Sequence, residues 1–437
     1  MITKSGGNEF HGDVFVNYAV PSLRSDQKDV RNTESDINDR DSVFDDVESL
    51  DYGADLGGFI VRDRIWFFTA YNRSEGERDR IPQSNNPAVS GVPFPEESAY
   101  NLLSGKLTVN LTQGSTLVGT YFRDPEHRDG AVFVPPSADP NSFAGRSDIG
   151  SEDYAGRFNQ LFGSSGVLTL QYSRHNDRFQ FKPLDRSLVA FQDRTRPSDN
   201  PNWPVTRGFG LVPGYALNNT GERDEYAGSF AAYLGNHEIK IGGDYVDQVT
   251  VSGSYYTGEQ LVRVRPCSTS ASSASYCPPG EGVPYTNVYG ETLPVHFEHL
   301  FYSDQLGSFN AIPVAFSAPP TTLWSAFLQD SWRISSKFTV DAGVRLDVQQ
   351  VKNATDDVVI DLNNQWQPRL GFVYDWKGDG STKLFGSLGR FYYVIPNDLN
   401  VRVYGGEFST RTFNYDTSSL VHGGPPNRNP LFQGAAK

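Results

Sequence analysis

Alternation with a period of two residues, sustained over runs of about nine to fourteen, constrains this chain more than any other feature. From Phe338 to Val348 every even position is apolar, and the odd positions from 339 to 347 are polar or Gly. Leu103, Gly105, Leu107, Val109 and Leu111 alternate in the same way with Ser104, Lys106, Thr108, Asn110 and Thr112. Leu370, Phe372, Tyr374 and Trp376 repeat the pattern. Successive side chains of a strand point to opposite faces, so such a run separates an apolar medium from a wet one. The runs exceed the five or six residues usual in a soluble strand. No segment of comparable length carries a 3.6-residue period. The fold class is all-β.

Connections alternate strictly between short and long. Tight turns are expected near Arg62-Asp63-Arg64, Gln113-Gly114, Gly163-Ser164-Ser165, Gly235-Asn236, Ser335-Ser336-Lys337 and Lys377-Gly378-Asp379-Gly380. Between them lie long polar, Pro-rich loops, roughly 18–50, 74–98, 124–152, 175–221, 253–321 and 352–364. A soluble sandwich has no reason to gather every long loop at one end. A transmembrane antiparallel β-barrel does, with short periplasmic turns and long outer loops. Loops of this size would count against a compact soluble domain. About 14 strands result, an even number, and 253–321 has room for more.

Three further features agree. A spanning strand is wet on one face, so a barrel is compatible with the mean hydropathy of -0.48. No apolar run of about 18 residues occurs, which excludes a spanning helix. Trp366 and Trp376 share a face ten residues apart, about 25 Å of height on a tilted strand, and match two interfacial girdles. Trp324 and Trp332 are paired similarly, and Trp66-Phe67-Phe68 and Phe391-Tyr392-Tyr393 sit near strand ends. The net charge of -14 argues against a nucleic-acid groove, which needs a positive face. Met1-Ile2-Thr3-Lys4-Ser5-Gly6-Gly7 lacks the layout of a signal peptide. Phe432-Gln433-Gly434-Ala435-Ala436-Lys437 closes no element. Cys267 and Cys277 share a Ser/Pro-rich loop; an oxidising compartment favours a disulfide between them, and a cytosolic one leaves free thiols.

Several segments, taken in order, carry a family resemblance. Thr3-Lys4-Ser5-Gly6-Gly7-Asn8-Glu9-Phe10-His11-Gly12 resembles the junction of plug and barrel in TonB-dependent outer-membrane transporters of the Oar-like group. Gly57 to Phe68 is similar to the second hairpin of that barrel. Gln329-Asp330-Ser331-Trp332 followed by Gly343-Val344-Arg345-Leu346 resembles a later hairpin, with Leu346 where the family often has an aromatic. Pro368 to Tyr374 and Gly386 to Tyr392 resemble the next two strands. The resemblance implies a barrel of 22 strands filled by an N-terminal plug, coupled to TonB through an upstream box and inserted by the barrel-assembly machinery. On that basis residues 1–9 are the end of the plug and its hinge. Residues 10–437 are then a partial barrel, with the plug, the box and about eight strands outside the chain. The expected setting is the outer-membrane lipid.

Motifs for chemistry are absent. His296 and His299 lie three apart in an extended segment, which puts them on opposite faces; a solvated loop suits them better than metal ligation. The first long loop is acidic, with Asp26, Asp29, Glu34, Asp36, Asp39, Asp41, Asp45, Asp46 and Glu48 among its residues. It lacks the Gly that a calcium loop needs for its turn. No nucleophile elbow, phosphate loop, dinucleotide fingerprint or zinc spacing occurs. No enzyme and no cofactor is expected. Lys106, Asp341, Arg345, Asp347 and Arg369 lie on polar strand faces and would line the lumen, where contacts with the plug are expected before contacts with a substrate. Two other readings stay open: a 14-strand diffusion channel, and a surface β-protein binding glycans.

Overall fold

A computed structural model describes residues 4–23, 42–82, 91–132, 140–187, 189–195, 205–207, 215–259, 261–268, 277, 282–287, 290–303, 311–312, 315–405 and 408–414. The chain opens with β1 (Val14–Ala19), β2 (Ser42–Val61), β3 (Ile65–Pro82), β4 (Phe94–Thr112), β5 (Ser115–Arg123) and β6 (Glu126–Gly130). It continues with β7 (Gly145–Phe162), β8 (Gly166–Pro183), β9 (Ala190–Asp193), β10 (Val205–Arg207), β11 (Tyr215–Leu234) and β12 (His237–Tyr256). Then follow β13 (Leu261–Pro266), β14 (Val283–Thr286), β15 (Thr292–Ser303), β16 (Ala311–Ile312) and β17 (Ala315–Ser317). Last come β18 (Pro320–Arg333), β19 (Phe338–Lys352), β20 (Val358–Asp375), β21 (Lys383–Gly389), helix α1 (Asn397–Tyr404) and β22 (Phe408–Asn414).

Among the described residues the main sheet is an antiparallel meander in the order β1-β2-β3-β4-β5-β7-β8-β11-β12-β18-β19-β20-β21, and with β6 on β4 and β7 and β17 on β12 it counts 15 strands, where about 14 were expected. β6 continues β5 between β4 and β7 beyond Asp124-Pro125, where proline has no N–H for the ladder. Among the described residues β1 and β21 are the two edges and do not pair, so the barrel is open. All six short turns lie where the sequence places them. Gly163 and Gly235 take φ of 59° and 62°, the left-handed conformation that tight hairpins need and that costs Gly nothing.

Two expectations fail. The strands are longer than the alternating runs: β2, β11 and β12 have 20 residues each and β3, β7 and β8 have 18. At about 3.4 Å per residue and a tilt of about 40° they stand roughly 50 Å tall, twice the apolar band of about 25 Å. Beyond the band both faces meet water or loops, so the hydrogen-bonded ladder continues while the hydrophobic alternation stops. This also shortens the loops, and 352–364 reduces to a turn at 353–357 followed by β20.

The second failure is the supposed loop 253–321. Segments from three connections form a separate sheet, β10-β9-β13-β15-β14, with β16 and β22 also on β15. Val262, Val264, Val295 and Phe297 are its buried core, with Val189, Phe191 and Leu293 packed against them. The acidic stretch 24–41 and residues 415–437 lie outside the described residues.

Register assigns the faces of the main sheet. One row reads Leu107, Gly119, Gly156, Tyr172, Tyr226, Tyr245, Trp324 and Val348 across eight strands. Tyr71, Tyr121 and Tyr154 lie on the same face further out, and Trp366 further in. The aromatic belt therefore drifts steadily against the register, as it must when tilted strands keep it at one height. Trp332 and Trp376 close the apolar face at the short-turn end. These aromatic residues are 38–66% exposed where Tyr154, Tyr172, Tyr226, Tyr245, Trp324, Trp332, Trp366 and Trp376 are concerned, which suits contact with lipid.

Candidate functional site

Lys106, Asp341, Arg345, Asp347 and Arg369 all lie on the face opposite the aromatic belt, that is, on the lumen wall. Arg345 bonds Asp244 at 3.1 Å on β12 and Asp347 at 2.6 Å on its own strand. Ser325 donates to the same Asp244 and Gln367 to Asp347. Arg369 donates to Gln367 at 2.9 Å and stacks on Phe391, 4.7 Å from guanidinium to ring centre. Adjacent strands thus tie their inward charges to one another, which holds a row of ions together at a wet wall. Lys106 faces a recess of about 470 Å³ shared with Thr120, Asp153, Arg157, Asn159 and Gln171.

Two segments cross this wall. Residues 4–10 run over its short-turn end: Lys4 reaches Asp55 at 3.4 Å, and Asn8 Oδ1 accepts from Asp63 N–H at 2.9 Å and Trp66 Nε1–H at 2.8 Å. Gly6 passes so close that a Cβ would lie 2.1 Å from the Phe67 carbonyl oxygen. At the other end the chain leaves β21, turns inward and lays α1 across β12, β18 and β19. Gln349 clasps the Ile395 backbone twice, at 2.9 and 3.0 Å. Asn397 donates to Thr250 at 2.8 Å, and Asn400 to Thr321 at 2.7 Å. An eight-residue helix is too short to show a period, so sequence reasoning missed it; the small polar residues Thr250 and Thr321 that seat it were the only trace. Asn400→Leu should loosen α1 by about 1–3 kcal/mol, because buried Thr321 then loses a donor. Faster protease cleavage between residues 390 and 405 in the assembled barrel would report it.

Charge pairs also fix the strand extensions. Lys182 and His127 both hold Asp148 there. Burial opposes ionisation of Asp148, yet these hydrogen bonds outweigh it and keep its carboxyl below the usual carboxylate range. A depressed folded pKa adds stability at neutral pH that is lost as pH falls below about 4. Asp148→Asn should therefore flatten the acid limb of the unfolding profile, measured by circular dichroism between neutral and acidic pH.

In the second sheet Cys267 and Cys277 form a disulfide with a Cα–Cα distance of 5.2 Å. His296 is buried in β15 rather than solvated in a loop, with Nδ1 3.6 Å from Cys277 Sγ and Nε2 3.8 Å from Glu298. The sulfurs and the imidazole gather within 4.8 Å, but a disulfide supplies no thiolate, so this is not a metal ligand set. The His299 side chain is outside the described residues.

Residues 2–99 and 78–363 match the family model of the Outer membrane beta barrel domain. The chain belongs to this outer-membrane β-barrel family. Its place is the outer membrane, as the resemblance to TonB-dependent transporters implied. The TonB-dependent transporter Oar of Myxococcus xanthus is 25% identical over 483 aligned positions, covering 93% of this chain and 43% of the relative. The ferripyoverdine receptor of Pseudomonas aeruginosa shares the fold at TM-score 0.50 and 11% identity, over 99% of this chain and 52% of that one. A complex of FpvAI with pyocin S2 aligns at TM-score 0.51 and 11% identity, over 88% and 41%. The chain thus spans about half or less of these barrel proteins.

Proposed function

We propose that this chain is the barrel portion of a TonB-dependent receptor that takes up a bulky ligand through its lumen. The similarity to the Oar transporter across 93% of the chain carries this reading. A polar, ion-paired wall suits a wet route that a hydrophilic ligand follows. The strap at residues 4–10 suits a chain arriving from inside the barrel, so we assign residues 1–9 to the hinge of a plug and the strands from residue 10 to the barrel. TonB and the plug are the partners on this reading, and assembly by the barrel-assembly machinery goes with it.

Retention on immobilised periplasmic TonB domain tests it. The complete gene product should be retained, and a variant lacking everything before residue 10 should not. Equal retention of both, or a stop codon directly upstream of Met1, would overturn the reading. A diffusion channel made by this chain alone would need its sheet to close, and among the described residues β1 and β21 do not pair.

A further inference from the structure

On the lipid-facing side, Gly105, Gly119 and Gly156 lie on the neighbouring strands β4, β5 and β7. Gly119 pairs with Leu107 on one side and Gly156 on the other, and Gly105 pairs with Tyr121. A Cβ added at any of the three would meet nothing within 4 Å, so neither packing nor backbone conformation demands glycine there. Their common effect is a depression of about 540 Å³ in the apolar belt, walled by Phe67, Leu107, Tyr121, Tyr154 and Tyr172. It is almost wholly apolar and opens to the bilayer.

Directly outward stand two arginines. Arg123 follows Tyr121 by two residues on the same face, and Arg178 follows Tyr172 by six. Both are exposed, and among the described residues neither sits in an ion pair, whereas Arg174, closer to the belt on β8, is taken by Glu222 and Asp224. Glu152 faces Arg123 across the ladder and its charge acts on both arginines, but its side chain accepts from Tyr121 at 2.6 Å and also bonds Tyr154. Arg123 pairs across to Glu152 and Glu152 to Asn176, so the Cα atoms of Arg123 and Arg178 are two strands and two residues apart. That is roughly 12 Å.

We propose that this face binds a diphosphorylated, acylated glycolipid of the outer leaflet, with an acyl chain in the glycine groove and the phosphates on Arg123 and Arg178. Guanidinium forks match phosphate oxygens. The aromatic belt sets the depth at which headgroups sit, so the arginines lie at headgroup height while the groove lies at chain height. Groove and arginines occupy adjoining strands and are independent features of the sequence.

Native mass spectrometry of the detergent-extracted protein, titrated with diphosphoryl lipid A, tests both halves. Wild type should bind it at least tenfold more tightly than the dephosphorylated lipid, with the monophosphoryl form between. Arg123→Gln with Arg178→Gln should weaken binding at least tenfold, and so, separately, should Gly119→Leu with Gly156→Leu, which fills the groove. Heat-modifiable migration on gels checks that the variants fold, and the exposed arginine pair remains a test if the leucines disturb assembly. Wild-type affinity in the folded arginine variant overturns the proposal. So does equal binding of the dephosphorylated lipid, or displacement of the lipid by inorganic phosphate at equal concentration, which would mark a soluble-anion site.

Discussion

Glu96→Ala should remove about 3–5 kcal/mol from the extension of β3 and β4 that carries it. Its carboxylate is 1% exposed and holds Arg78 and, at 2.8 Å, Arg80, whose side chain is itself only 11% exposed. Taking the acid away deprives both guanidinium groups of the buried carboxylate they share. Because the extension stands outside the bilayer, the loss is local: cleavage by external protease between residues 78 and 98 should rise while the barrel stays folded. Replacing all three residues by leucine should recover much of the stability, since an apolar substitute avoids the desolvation cost of the ions. Wild-type protease resistance in Glu96→Ala would show that the ion cluster does not hold the extension.

Leu328→Arg should cost about 2–4 kcal/mol and reduce the amount of barrel that assembles. Leu328 is midway between Trp324 and Trp332 on the lipid face, where a charge meets the centre of the apolar band. Gln329→Arg, one residue on, projects into the wet lumen beside Lys240 and Gly343 and should be nearly neutral. The yield of heat-modifiable protein in outer-membrane fractions compares the two. Equal yields would mean that the faces have been assigned the wrong way round.

The membrane-spanning half of the fold was legible because water on one side and lipid on the other write an alternation into each strand. Phe338 to Val348, the turn glycines Gly163 and Gly235 and the spaced pairs Trp324–Trp332 and Trp366–Trp376 all carry that imprint. The outer half was not. Arg73, Glu75 and Glu77 share one face of β3 with Tyr71, yet Arg78 and Arg80 on the other are as polar, so periodicity gives no sign that the ladder goes on. The second sheet depends on pairings between residues distant in sequence, such as Phe297 with Val264 and Asn414, which no local pattern announces. The inward charges were readable as a lumen lining. Their mutual pairing was not, because Asp244 lies 101 residues from Arg345.

The composite origin of that second sheet limits how these outer connections can change over time. β9, the β13–β15 group and β22 come from three different connections, yet each supplies a ladder edge that another needs. A substitution in one segment alters the seat of its neighbours, so the three must diversify in step. Exchanging a single outer connection with that of a homologue should therefore misfold this sheet, whereas exchanging all three together should carry it across as a unit.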